Sequence, residues 1–369
     1  MPFTFLFSDT GIIKESYWQQ PIPLQGKLQS DLPDILTNLS PANCGACHSI
    51  QYQYWRKSFH AKATGDGLLG QLYAFDTDTQ LDCLKCHSPR QEQINQLLNL
   101  SGARSSSHGI DCASCHVRKH IRHSSRDIPS TPHGAVKGLP IFKKSEFCKS
   151  CHQFDDTGEV VNGKPLENTF VEWQASLQAK QGKQCQSCHM PDKKHLFRGI
   201  HDPDMTRTGL GVKLQRTEKK LILKLGNTGA GHALPTYITP RINVLITGSK
   251  GKSLRYTIQR KMAWDEVSGW SEISDTRLFP KQWETLSLKL GQDETAKIVV
   301  KVEPDYDYHK RIYPKLLNVL SDDLKPDQKS QLKNALKNSG KSAYILYSFD
   351  CNKWKAEETD LCHSTLPKQ

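Results

Sequence analysis

The sequence predicts an α-helical, loop-rich first half followed by an all-β half of immunoglobulin-like sandwich type, and three observations predict it. A five-residue signature, Cys-x-x-Cys-His, occurs five times, always before residue 190. From about residue 210 the chain changes to short apolar runs separated by Gly, Pro, Asn and Asp, the pattern of strands and turns. The length, 369 residues, allows two or three domains. The expected division is an extended N-terminal strap at 1–43, a domain carrying the signatures at 44–208, and a β-sandwich at 209–369 with a helical insertion near 316–338.

The signatures are Cys44-Gly45-Ala46-Cys47-His48, Cys83-Leu84-Lys85-Cys86-His87, Cys112-Ala113-Ser114-Cys115-His116, Cys148-Lys149-Ser150-Cys151-His152 and Cys185-Gln186-Ser187-Cys188-His189, here motifs I to V. The spacing reads as c-type haem attachment. Two thiols three positions apart reach the two vinyl groups on one haem edge, and the adjacent His lies beneath the iron as its proximal ligand. Zinc sites use paired Cys-x-x-Cys but rarely follow every pair with His, and five pairs do not divide into four-Cys sites. A thioredoxin-like centre needs one motif, not five. A disulfide framework would not fix the intervals so uniformly. The expectation is five covalently attached haem c groups, so the first half is read as a multihaem cytochrome domain.

Composition agrees with that reading. Only 36% of residues are hydrophobic, a meagre supply unless a cofactor provides apolar bulk. The formal charge is +12. A basic balance often points to nucleic acid, but no nucleic-acid motif accompanies it, and haem propionates offset much of the excess. No apolar run approaches membrane-spanning length, so no transmembrane segment is expected. Pro2 to Phe7 is too short for the apolar core of a leader. Because haem is attached covalently outside the cytoplasmic membrane, a periplasmic, extracellular or cell-surface location is expected, with the leader outside this sequence.

Taken in order, Gln20-Pro21-Ile22-Pro23 is extended, since successive prolines disfavour helix. Ser49 to Ala63 reads as a helix with an aromatic face, Tyr54, Trp55 and Phe59, and carries His60. Gln91 to Leu100 reads as a short amphipathic helix, and 102–109 as a Ser/Gly-rich loop. Val117 to His123 is basic and His-rich. It is either a solvated loop near propionates or the source of a ligand, His120. Thr131-Pro132-His133-Gly134 is a turn presenting His133, and Val161-Asn162-Gly163-Lys164 is another turn. A helix is expected through Val171 to Ser176, running on toward Gly182. His195 and His201 follow motif V, and one or both should reach iron.

Strands are expected at Leu221–Leu225, Arg241–Ile246, Tyr256–Met262, Thr285–Leu290, Lys297–Val302 and Ala343–Phe349, with helices in Leu316–Asn338. Cys351 and Cys362 stand outside the Cys-x-x-Cys-His pattern and most simply pair as a disulfide.

These residues resemble the multihaem cytochromes c related to the tetrahaem cytochrome of ammonia-oxidising bacteria. The matching pieces are Trp55-x-x-Ser58-x-His60, Gly109-Ile110-Asp111, and Cys185 to Pro191 followed by His195, so the resemblance covers roughly 40–205. It implies that His60 is a distal haem ligand and that haems stack in close pairs. Five motifs rather than four mean that the pairing of haem with ligand does not carry over directly. Asn227-Thr228-Gly229-Ala230-Gly231-His232-Ala233-Leu234-Pro235-Thr236 is similar to a segment that opens an appended β-domain in several exported multihaem cytochromes. That similarity implies that His232 caps an iron.

Five haems with two His ligands each need five histidines beyond the motifs, and ten remain: His60, His108, His120, His123, His133, His195, His201, His232, His309 and His363. The expected distal set is His60, His120, His133, His201 and His232, with His195 and His108 in reserve. Imidazole on both faces of an iron leaves no open site, and such a haem moves electrons. The first expectation is therefore an electron-transfer protein working between redox partners, other cytochromes or a membrane quinol-linked donor. A second is an oxidoreductase with one open haem acting on a small nitrogen or sulfur compound, with Arg118, Lys119 and Arg122 binding an anion nearby. A third is a homo-oligomer, a subunit of a haem-continuous filament. Whether the protein is an enzyme stays open at this point, with electron transfer the favoured reading.

Overall fold

The computed structural model describes residues 17–28, 33–98, 108–154, 160–265, 267–356, 358 and 361–366. The N-terminal part of the expected strap, the end of the helix expected at 91–100 and most of the 102–109 loop lie outside the described residues. By its internal contacts the chain divides into two compact units, 1–151 with 184–197, and 152–183 with 198–369.

The first unit is built of short helices: α1 (Asp34–Thr37), α2 (Pro41–Cys47), α3 (Ser49–Trp55), α4 (Asp66–Leu72), α5 (Thr77–His87), α6 (Gln91–Leu98), α7 (Cys112–His116), α8 (Glu146–His152) and α11 (Cys185–His189). Local side chains start most of those that carry motifs. Ser40, Asp76 and Asp111 accept from the backbone N–H three residues on and so cap α2, α5 and α7. Gln184 and Ser187 form a reciprocal capping box at α11. Between α7 and α8, strands β1 (Val117–Arg118), β2 (Ile121–Ser124) and β3 (Val136–Gly138) make a small sheet. Lys119 and His120, both at positive φ, form the two-residue turn that joins β1 to β2. The stretch read from sequence as a loop is thus a hairpin, with His120 at its tip.

Two other expectations are corrected. The helix starting at Ser49 ends at Trp55, and 56–64 form turns. A tertiary hydrogen bond, Ile110 N–H to His60 O at 2.9 Å, takes up the carbonyl there, and Ser58 Oγ accepts from Ala61 N–H. The helix expected through Val171–Ser176 is present as α9 (Thr169–Gln174), but it does not run on toward Gly182: Ser176 leaves it and caps a second short helix, α10 (Leu177–Lys180), through Ala179 N–H.

The buried apolar cluster of this unit is small: Leu72, Leu84, Ile94 and Leu97, with Leu68, Leu69 and Leu81 against it. Residues 17–28 run as an extended strap within the unit. Ile22, fully buried, exchanges backbone hydrogen bonds with Pro89 and Gln91, and Gln25 N–H donates to Glu92.

In the second unit a hairpin, β4 (Val160–Val161) and β5 (Lys164–Pro165), turns through Asn162 and Gly163, both at positive φ. It is followed by α9, α10 and α12 (Pro203–Gly209) and then by the strands. One antiparallel sheet has the order β12 (Trp283–Lys289), β7 (Lys220–Asn227), β6 (Leu210–Arg216). The other runs β15 (Cys362–Ser364), β14 (Tyr344–Cys351), β13 (Ala296–Glu303), β8 (Arg241–Gly248), β9 (Ser253–Ile258). Inward residues alternate along each strand: Ile242, Val244 and Ile246 on β8 and Ile298, Val300 and Val302 on β13. They share one core with Leu221, Leu223 and Leu225 of β7 and Leu286 and Leu288 of β12. A separate hairpin, β10 (Arg260–Asp265) and β11 (Gly269–Asp275), divides what the sequence reads as one run at 256–262. Helices α13 (Tyr313–Val319) and α14 (Pro326–Gly340) stand between β13 and β14, where the helical insertion is expected. Cys351 and Cys362 are disulfide-bonded.

Candidate haem attachment sites

Each motif occupies a helix or its last turn, so its two cysteines and its His project one turn apart. None of the ten motif cysteines is in a disulfide. Motif III is held most tightly. Asp111 Oδ1 accepts from both Ser114 N–H and Ser114 Oγ, at 2.8 and 2.9 Å, while Arg90 Nη2 donates to its Oδ2 at 2.6 Å. Arg118 Nη1 donates to Ser114 O and Val117 O, Nε donates to Tyr17 O, and the guanidinium lies 4.1 Å from the Tyr17 ring centroid. Arg122 donates to His120 O and Leu36 O. The arginines read from sequence as anion-binding candidates thus hold backbone carbonyls.

Two of the motif imidazoles, His116 and His87, share an orientation. His116 Nδ1 is 2.9 Å from His123 O, and His87 Nδ1 is 3.1 Å from Ala63 O. A carbonyl only accepts, so Nδ1 carries the proton and the Nε2 lone pair is left for a metal. Burial lowers the pKa of both rings and keeps them neutral, the form that ligates. His152 Nδ1 lies 3.0 Å from Tyr237 OH.

Several further histidines share the tautomer. His195 Nδ1 lies 3.1 Å from Lys193 O, and His232 Nδ1 lies 2.9 Å from Ala233 O. His133 Nδ1 lies 2.8 Å from Thr131 Oγ1, whose own proton goes to Gly134 O, so the ring is again the donor. His201 differs: its Nε2 is 3.0 Å from Asp305 Oδ1, so the carboxylate takes the proton on that nitrogen. His120 Nε2 donates to Gly26 O at 2.9 Å, while its buried Nδ1 has no hydrogen-bond partner. His60 packs its ring 4.3 Å from that of Phe197. His108 stands half-buried just ahead of Gly109.

Two ring pairs have a spacing that bears on the cofactor. The His48 and His133 centroids are 6.4 Å apart, and those of His116 and His195 are 6.1 Å apart. A His nitrogen lies about 2 Å from a bound first-row metal, so two imidazoles on opposite sides of one metal have centroids about 6 Å apart. These residues fit a haem held between two histidines.

The comparisons agree. Residues 43–117, which contain motifs I to III, match the family model described as cytochrome c554 and c-prime. This stretch is a cytochrome c554/c-prime multihaem segment. No curated protein sequence matches the chain significantly. Among solved structures, the chain is similar to a penta-heme cytochrome c552 from Thermochromatium tepidum, with 17% identity and a TM-score of 0.57, covering 79% of this chain and 96% of that one. At that identity the likeness is one of fold: a helical region with haem motifs followed by a β-rich region of several antiparallel sheets. The protein is a multihaem c-type cytochrome, and among its described residues no helix is long and apolar enough to cross a membrane.

Covalent haem c in this cytochrome would be held by Cys44, Cys47, Cys83, Cys86, Cys112, Cys115, Cys148, Cys151, Cys185 and Cys188 through thioethers, with His48, His87, His116, His152 and His189 on the irons. Bound there, the group supplies a reversible one-electron carrier. Sequence reasoning passes over the aromatic lining of this region. Phe142 stacks on His116 at 5.2 Å and meets Phe147 at 4.6 Å, while Tyr17 and Trp18 pack on Phe147. The adjacent aromatics Tyr17-Trp18, just ahead of the Pro-rich strap, are the signal available in the sequence for this lining.

Proposed function

We propose that the chain is an exported pentahaem c-type cytochrome that carries electrons along closely spaced, mostly bis-His haems between redox partner proteins. The observation that carries the reading is the spacing of His48 from His133 and of His116 from His195. It supports His133 as the distal ligand on motif I and His195 as the distal ligand on motif III. His60 and His232 complete the better-supported part of the distal set, and His120 remains the candidate for a fifth site. His201, engaged through Nε2 by Asp305, is a weaker choice than His195. An iron with imidazole on both faces has no vacant position for substrate, which favours carriage over catalysis.

The immunoglobulin-like reading of the β-rich half is supported by strand order. With β6, β7 and β12 as strands A, B and E, and β8, β13 and β14 as C, F and G, the two sheets follow the order of that fold, β9 extending the second sheet as in variable-type domains. The module serves for docking or assembly. An extracytoplasmic location follows from covalent haem attachment.

Low-temperature EPR of the oxidised protein, with haem quantified, tests the proposal. Five haems per chain with low-spin signals alone are expected. A high-spin signal near one haem equivalent would replace the carrier by an oxidoreductase with an open iron.

A further inference from the structure

The motifs do not meet one another in chain order. Motif V is latched to the entry of motif IV. Ser145, fully buried just ahead of α8, donates its N–H to Gln184 Oε1 at 2.7 Å and its hydroxyl to the same atom at 3.0 Å. Its Oγ also accepts from Cys185 N–H at 2.9 Å, and Gln186 Nε2 donates to Lys144 O at 2.8 Å. Motif II is tied to motif IV by one side chain of the strap: Gln20 Nε2 reaches Lys85 O at 3.1 Å and Cys151 Sγ at 3.3 Å.

Motif III approaches motif IV through rings. Tyr17 OH donates to Cys115 O at 2.7 Å, and the Tyr17 ring lies 6.2 Å from that of Phe147, the residue before Cys148. Phe142 bridges His116 and Phe147. Motif I attaches elsewhere: Trp55 Nε1, on the helix that follows it, donates to Ile110 O, just ahead of motif III, at 2.8 Å.

We infer that motif IV is the branch point of a forked haem array, flanked directly by motifs II, III and V, with motif I reached through motif III. Because each motif would hold its haem against its own helix, motifs joined by direct contacts would hold neighbouring haems. An array following chain order has two ends, on motifs I and V. The forked one has three, on motifs I, II and V, so the protein can meet three redox partners at separate haems. Where the carrier reading gives one path between a donor and an acceptor, this inference rests on that reading and adds a second exit.

The test is a potentiometric titration of the full holoprotein followed by NMR of the haem methyl groups, each assigned through its own Cys and His protons. His152→Met exchanges an imidazole for a thioether on motif IV and raises the potential of that haem. Midpoints at motifs II, III and V are expected to shift with it, and that at motif I to stay in place. A shift confined to one or two neighbours, or an equal shift at motif I, overturns the fork. The unmodified protein gives the same reading if the variant does not accumulate: on reduction of the haem at motif IV, the resonances of II, III and V must move, and failure of any one to move overturns the inference. Gln20→Leu touches no ligand and should alter only the coupling between II and IV; no change there, or an equal change at V, also counts against it. If the carrier reading alone is wrong, reduction by a donor cytochrome will be slow while the coupling pattern persists.

Discussion

A single proton decides what a histidine offers. His195 and His201 stand six residues apart, and the sequence reading places His201 in the distal set and His195 in reserve. The structure separates them by the atom each commits, since His195 donates from Nδ1 to Lys193 O and His201 donates from Nε2 to Asp305 Oδ1. His195→Ala should therefore turn one low-spin haem high-spin in EPR, whereas His201→Ala should leave the spectrum unchanged. The reverse result would restore His201 to the distal set. Ionic residues carry a second expectation. Burial alone would raise the Asp275 carboxyl, but Arg277 and Lys164 outweigh it and bring its pKa down to about 2. An unfolded Asp titrates near about 3.9, so this carboxylate stabilises the fold at neutral pH, and its contribution is lost as pH falls from about 4 to about 2. Asp275→Asn should lower the melting temperature at pH 7 and flatten its dependence on pH across that window, as followed by circular dichroism. Glu172, in the same network, is pushed up by burial and acts with the opposite sign at higher pH.

At the scale of elements, what the sequence makes legible is whatever has a local cause. The motifs are local, and so are the caps Ser40, Asp76 and Asp111 and the Asn162-Gly163 turn. Strands with alternating apolar residues, β8 and β13 above all, are found within two residues of their ends for the same reason. The helix beginning at Ser49 is overrun because its end is set by Ile110, far along the chain. The two strands within 256–262 are merged because β10 turns to pair with β11, not with β9, and nothing local announces the change of partner. Gly109 joins the connections 56–64 and 108–111. Its φ is +59°, and a Cβ there would come within 2.4 Å of His60 O. Gly109→Ala should cost more than about 1 kcal/mol, since both the conformation and the space exclude a side chain. Thermal denaturation would show it, with the His60 spectral contribution disturbed as well.

For the molecule as a whole, the low apolar content has a structural counterpart. Among the described residues, the first unit's cluster gathers four fully or nearly buried apolar residues, whereas the second unit's main cluster gathers nineteen. The second is an ordinary protein core, readable from strand periodicity. In the first, much of the packing surface belongs to histidines, thiols and aromatics around the motifs, which hydrophobic patterning does not report. The disulfide is readable because Cys351 and Cys362 are the two cysteines outside the repeat. It closes a short loop, and such a bridge contributes about 2–3 kcal/mol by restricting the unfolded chain. Replacing both cysteines with Ser should lower stability by about that amount with haem content unchanged; a loss of haem would mean that the bridge also supports the first half.

The proposed partners of motifs I and III have a consequence for biogenesis. His133 lies beyond motif III, and His195 lies beyond motif V. In a chain crossing a membrane amino terminus first, motif I would emerge before His133, its proposed sixth ligand. Motif III waits until the last attachment sequence has emerged. On these proposed pairings each ring pair would close only when a later segment has arrived, that at motif I before motifs IV and V emerge and that at motif III after motif V.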